Sequence, residues 1–182
     1  LLGSDLAAAG GTGSGDQFNG GEAISQGLEF SLQSDLAAGT GKAFSLPFRV
    51  AYTYTHAEFR NTFNSEFGPW SGVSSGDELP YIPKHQIYFG LGFEYQRIQI
   101  DLSGKHNGAM RTEAGSGDLL ERHRMDSHLV LDGSAEVRLA DGFRLFAGIR
   151  NQTDKKYIAA RRPAGVRPGL PRTFVSGIKA DF

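Results

Sequence analysis

The chain has 182 residues and a formal net charge of −1, so its charge points neither to nucleic acid nor to an anionic surface as partner. It has no cysteine, which excludes a disulfide scaffold and thiolate metal sites, and no run near the roughly 18 apolar residues of a membrane-spanning helix. Its 25 glycines, 13 phenylalanines and 6 tyrosines suggest β-structure with many turns.

Period-2 alternation then recurs along the chain and predicts seven strands. In the first, Ile24, Leu28, Phe30 and Leu32 share a face opposite Ser25, Gly27, Glu29 and Ser31. The second runs over 44–55, with Phe44, Leu46, Phe48, Val50, Tyr52 and Tyr54 against Ser45, Arg49, Thr53 and Thr55. The third sets Ile87, Phe89, Leu91, Phe93 and Tyr95 against Gln86, Tyr88, Gly90, Gly92 and Glu94. The fourth sets Ile98, Ile100 and Leu102 against Gln99, Asp101, Ser103 and Lys105. The fifth, over 128–139, opposes Leu129, Leu131, Ala135, Val137 and Leu139 to Asp132, Ser134, Glu136 and Arg138. The sixth opposes Phe143, Leu145, Ala147 and Ile149 to Arg144, Phe146, Gly148 and Arg150. The last, from Thr173 to the terminal Phe182, puts Phe174, Ile178, Ala180 and Phe182 against Gly177, Lys179 and Asp181. In these segments every charge lies on the polar face.

Alternation alone leaves two environments open for the apolar face: a second sheet, as in a soluble β-sandwich, or lipid. The connections favour lipid. Short links (33–43, 96–97, 140–142) alternate strictly with long ones (59–85, 106–126, 151–172), so every long loop leaves the same end of the sheet. Loops beyond about 12–15 residues are uncommon in compact soluble domains, whereas an outer-membrane barrel joins its strands by short periplasmic turns and long outer loops. Aromatics on the apolar face gather at the two ends: Phe44, Phe93, Tyr95, Phe143 and Phe182 by the short turns, Tyr52, Tyr54 and Phe174 by the long loops. Two such girdles flanking an aliphatic band are expected at membrane interfaces. The expected fold is therefore all-β, an antiparallel up-and-down transmembrane barrel. Bacterial single-chain barrels have even strand numbers, and an open edge is not tolerated in lipid, so seven strands read as a piece of a larger barrel. Leu1 is not an initiator methionine and no leader follows it, which agrees with a cut into a longer chain.

Several stretches resemble, in order, the C-terminal barrel of TonB-dependent outer-membrane receptors: "GLEF" (27–30), "AYTYTHAEF" (51–59), "LPYIPKHQ" (79–86), "NQTDKKYI" (151–158) and "GLPRTF" (169–174). The branch they resemble most is that of the ferric-dicitrate transporters. The resemblance covers nearly the whole chain, with Gln152 departing from the apolar residue expected after Asn151. It implies that residues 1–182 are the last seven strands of a barrel of about 22 strands with a plugged lumen. It also implies active import of a ferric chelate or another scarce nutrient, with lipid and lipopolysaccharide around the barrel. The plug domain, and the TonB box that engages the energy-coupling protein, would belong to an N-terminal part absent here. Phe182 resembles the assembly signal of outer-membrane barrels. The competing readings are a passive porin or barrel enzyme, and a soluble β-sandwich binding module.

Candidate ligand contacts are Arg161, Arg162 and Arg167 in the last long loop, since guanidinium forks fit carboxylates bidentately. The plainer reading is a solvated loop, or one that meets lipopolysaccharide phosphates; Arg172 reads as structural. The inward glycines Gly27, Gly90, Gly92, Gly148 and Gly177 suit either close approach of a plug or wall curvature. No cofactor or resident metal is expected: the five histidines lack ligand spacing, and "HRMDSH" (123–128) contains no zinc motif. "GGTGSG" (10–15) lacks the Lys-Ser/Thr ending of a phosphate loop, and no G-x-S-x-G elbow supports an enzyme.

Overall fold

The computed structural model describes residues 21–64, 71–161 and 165–181. Twelve strands run through them: β1 (Ala23–Asp35), β2 (Phe44–Ser45), β3 (Pro47–Phe59), β4 (His85–Tyr95), β5 (Ile98–Asn107), β6 (Met110–Arg111), β7 (Arg124–Met125), β8 (His128–Ala140), β9 (Phe143–Arg150), β10 (Ile158–Ala160), β11 (Arg167–Pro168) and β12 (Thr173–Ala180). The seven long ones form one sheet in the order β1-β3-β4-β5-β8-β9-β12, each antiparallel to its neighbour. This is the up-and-down sheet expected from the alternation.

Register holds each face together across the sheet, with one shift between Arg138 and Ala140 where β8 ends against β9. On one face, Phe30 pairs with Tyr52, Tyr52 with Ile87, Leu91 with Leu102, Val137 with Leu145 and Leu145 with Ile178. These side chains cover nothing: Leu28, Phe30, Leu102, Phe174 and Ile178 are half or more exposed. A face of this size and apolarity left bare is lipid-facing surface, not a core. On the other face Gly90 stands opposite Ser103, Ser103 opposite Asp132, and Glu94 opposite Gln99.

The predicted second strand is two strands. Pro47 has no N–H to give the ladder, and the Asp35 carboxylate instead takes the N–H groups of Ala37 and Leu46 while accepting from the Ser45 hydroxyl. β2 pairs with β4 ahead of that break. At its far end β3 continues to Phe59, four residues beyond the predicted limit, and so carries His56 and Glu58 onto the outer face above the tyrosines.

Two glycines show how neighbours fill a missing side chain. A Cβ on Gly104 would meet the Phe89 ring at 2.2 Å, and one on Gly177 would meet the Phe146 ring at 2.9 Å. Each aromatic is the glycine's direct cross-strand partner, and its ring lies over the bare backbone. Phe146, an apolar residue on the polar face, thereby has a structural role. Gly92 is covered by Pro47, and Gly27 lies so close to β3 that a Cβ would strike the Tyr54 carbonyl. Of the inward glycines, Gly148 leaves the most open space.

Candidate functional site

The polar face is a concave wall. At its short-turn end Lys179 of β12 reaches over β9 to Glu136 of β8 (2.6 Å), with its ammonium 5.2 Å from the Phe146 ring centroid. Arg144 lies between them and pairs with both Glu136 (3.4 Å) and Asp181 (2.5 Å). Arg49 stacks over Tyr88 higher on the wall, and Gln86, Asn107 and His128 form a hydrogen-bonded row across β4, β5 and β8. A hollow of about 600 Å³ sits on the wall, bordered by Asp101, Asp132, Glu136, Arg144 and Lys179. Alternating charge of this kind makes a wetted surface for polar occupants.

At the other end the long loops interlock. Phe59, 2 % exposed, packs edge-on against Phe63 and starts a small core with Val73. Glu78 joins the loop after β3 to the loop after β5: its N–H donates to the Gly115 carbonyl, and its carboxylate takes Lys84 (2.5 Å) and the buried Arg111 (3.0 Å). Arg111 also donates to the Gly117 carbonyl, while its own carbonyl accepts the Tyr81 N–H. Partial burial pushes the Glu78 carboxyl up, but Lys84 and Arg111 outweigh it and hold it below its ordinary value of 4.5. A carboxyl lowered by folding stabilises the fold above its unfolded pKa, and that contribution is lost as pH falls through the folded value. Amide protection at Glu78 and Tyr81, corrected for intrinsic exchange, should therefore fall below about pH 4.5. Glu78→Gln should flatten that acid step; an unchanged step would show that other groups hold the loops together.

The loop after β9 hangs on Asn151, 1 % exposed and left-handed at φ 49. Its side-chain N–H groups donate to the Lys155 and Leu170 carbonyls, its oxygen accepts from Lys155 N–H, and its own N–H donates to Asp132. Asparagine tolerates this backbone region and can bond its own turn, which suits it to the position. Tyr157 stacks on His128 with centroids 4.3 Å apart and occupies the space a Gly169 side chain would need.

β10 and β11 bring two of the three candidate arginines together. Arg167 is exposed and stands opposite Ala160, the residue before Arg161. Arg161 is half-buried, and its Nε donates to the Arg124 carbonyl at 3.1 Å, tying this loop to the one after β5. Arg162 and Phe182 lie outside the described residues. His123 pairs with Glu113, and among the described residues no group of three or more His, Asp or Glu is placed to hold a metal ion. The loop contacts that do most, Glu78, Arg111 and Asn151, were not among the candidates. Of these only Asn151 carried a local signal, an asparagine opening a Gln-Thr-Asp turn.

Among curated proteins none matches the chain. Solved structures do match in fold. The ferric-catecholate import receptor Fiu of Escherichia coli K12 in its closed form superposes with a TM-score of 0.66 at 21 % identity, over 88 % of this chain and 21 % of that one. The unliganded ferric citrate transporter FecA gives 0.65 at 21 % identity, over 86 % and 24 %. The copper transporter OprC gives 0.61 at 17 %, over 88 % and 24 %. The chain thus spans about a fifth to a quarter of these structures. The family model described as TonB dependent receptor-like, beta-barrel, matches residues 2–151. With that match over most of its length, on a sheet whose apolar face is built for lipid, the chain belongs to the TonB-dependent receptor β-barrel family of the bacterial outer membrane.

Proposed function

We propose that residues 1–182 are the C-terminal part of a receptor barrel that imports a ferric chelate across the outer membrane, in the manner of the ferric-citrate branch. The interlocked outer loops above a charged wall carry this reading most directly. Loops that are tied to each other through Glu78, Arg111, Arg161 and Tyr157 make a preorganised rim, which lowers the ordering cost of capturing a ligand from outside. β1 and β12 expose edges that further strands must cover in lipid, and the charged wall suits a plug filling the lumen. Energy would come through that plug from the coupling protein at the inner membrane. Passive flow through a porin would need no such tied rim.

The ligand would meet Arg161, Arg162 and Arg167. Arg167 is exposed and Arg161 is half-buried, with its guanidinium joining this loop to Arg124, so the two substitutions should differ. In the whole receptor, Arg167→Ala should weaken binding of ferric citrate about tenfold, the loss of a charge-assisted pair of roughly 1.5 kcal/mol. Arg161→Ala should lower affinity and loosen the loop as well, seen as faster amide exchange near Met125. Calorimetry with ferric citrate, and with a ferric catecholate as comparison, measures the first effect. Wild-type affinity in both variants would remove the arginines from the site. Phe182 is proposed as the signal read during barrel insertion.

A further inference from the structure

The outer face carries three histidines on three adjacent strands: His56 on β3, His85 on β4 and His106 on β5. Register fixes their facing, since Gln26 pairs with His56, Tyr54 with His85, and Ile87 with His106, all within the lipid-facing set. The three form a descending line. His85 is level with Tyr54, two residues below His56; Gly108 N–H donates to the His85 carbonyl, and His106 lies two residues below Gly108. The rim at the short turns descends in the same sense. Phe48 is level with Leu91, four residues short of the end of β4, and Ile98 is level with Val137, three short of the end of β8. A line that descends with the rim runs parallel to the membrane plane.

Its height can be read from the strands. His85 is ten residues above Tyr95, the last residue of β4. At about 3.3 Å per residue and a tilt of about 40°, that is about 25 Å, the full height of a barrel's apolar band. His56 and His106, nine residues above Pro47 and eight above Ile98, come out at about 20–25 Å by the same reckoning. The histidines therefore stand at one headgroup boundary, beside Tyr52 and Tyr54. The Tyr52 hydroxyl is 2.9 Å from His85 Nδ1 and can donate to a neutral ring or accept from a charged one.

We propose that His56, His85 and His106 form a proton-dependent docking line for the phosphates of lipopolysaccharide in the outer leaflet. The proposal rests on the long loops facing outward. Imidazole is the side chain that ordinarily gains charge between about pH 8 and pH 5, and a charged ring donates two hydrogen bonds to phosphate oxygens. Among the described residues, the other charged groups near the line on this face are Glu58, 3.1 Å from His56 and shared with Arg60, and Glu22, just ahead of β1; the tyrosines Tyr52 and Tyr54 are neutral over this pH range. Lys84 beside His85 is engaged by Glu78. The outward positions of β5 and β8 flanking His106 are Gly104, Leu129 and Leu131, without charge. Glu58 competes with phosphate for His56, so His85 and His106 carry most of the contact.

The whole receptor, extracted in mild detergent with its native lipid, provides the test. Lipid A phosphate retained per barrel, measured by mass spectrometry, should be about fivefold higher at about pH 5.5 than at about pH 8. His56→Gln/His85→Gln/His106→Gln should abolish the difference while the barrel keeps its heat-resistant gel mobility. His85→Lys/His106→Lys should retain lipid at both pH values. If the glutamine variant keeps the wild-type pH dependence, or if the lysine variant retains no more lipid than wild type at the higher pH, the proposal fails. Orientation is checked separately with an impermeant thiol reagent on intact cells: Ser74→Cys should react and Asp141→Cys should not. The reverse labelling would overturn the proposal through the outward loops on which it rests, whatever the lipid measurement gives.

Discussion

Leu102→Arg in the whole receptor should destabilise the inserted barrel by about 2–4 kcal/mol, the cost of a cation near the bilayer midplane. Leu102 is 50 % exposed and pairs across strands with Leu91, 43 % exposed, between Phe93 and Tyr95 at one boundary and Tyr52 and His85 at the other. A guanidinium there has no carboxylate among its cross-strand partners, Leu91 and Gly133, and no water, and snorkelling has the greatest distance to cover. Gln99→Arg, three residues away on the opposite face, should change stability by no more than about 0.5 kcal/mol. Denaturant unfolding of lipid-reconstituted protein gives both values. Equal losses would mean that the two faces have been exchanged, and with them the wall, the rim and the histidine line.

That the faces could be read from the sequence at all follows from the period of a strand. Side chains alternate, register runs on from strand to strand with one shift, between Arg138 and Ala140 at the foot of β8, and a slip within the ladders would have moved the leucines into the lumen. The strand limits came out within a few residues, because glycine and proline punctuate them. The exceptions have local causes that periodicity does not encode. Leu46 looks like one more apolar residue in an alternating run, but the run breaks there because Asp35 takes its N–H and Pro47 has none to give. Phe146 looks misplaced on a polar face until its partner is seen to be Gly177. The apolar face reads as free of charge only if the second strand ends at Thr55; the four further residues of β3 put His56 and Glu58 on it.

The outer loops were much less legible. They read as long connections, and they contain four short strands and a packed core. Glu78 is held by Lys84, Arg111 and Gly115, the farthest of them 37 positions along the chain, and no spacing rule announces such a pairing. In the sequence the candidate arginines stand out by chemistry alone. That chemistry suits Arg167, which is exposed, better than Arg161, which is half-buried against Arg124. A sequence can show that a loop contains a guanidinium; the fold decides how far it is open to solvent.

Deleting Phe182 should reduce the yield of inserted receptor far more than it lowers the stability of receptor that has inserted. The terminal strand is already well secured without it. β12 pairs with β9 along its whole length, Asp181 N–H donates to the Gly142 carbonyl, Asp181 pairs with Arg144, and Lys179 reaches Glu136 two strands away. Burying one aromatic ring at a girdle adds only about 1.5–3 kcal/mol to that. Insertion is a different matter, because it depends on recognition of the strand before any of these contacts exist. The resemblance of the terminal aromatic to the barrel assembly signal is the ground for proposing recognition at this residue. Membrane-fraction yield and the heat resistance of the purified barrel separate the two effects. A fall in yield with heat resistance nearly unchanged is the expected result. Unchanged yield with lowered heat resistance would make Phe182 a girdle residue only, and the signal would have to lie further back, in the pattern of Phe174, Ile178 and Ala180.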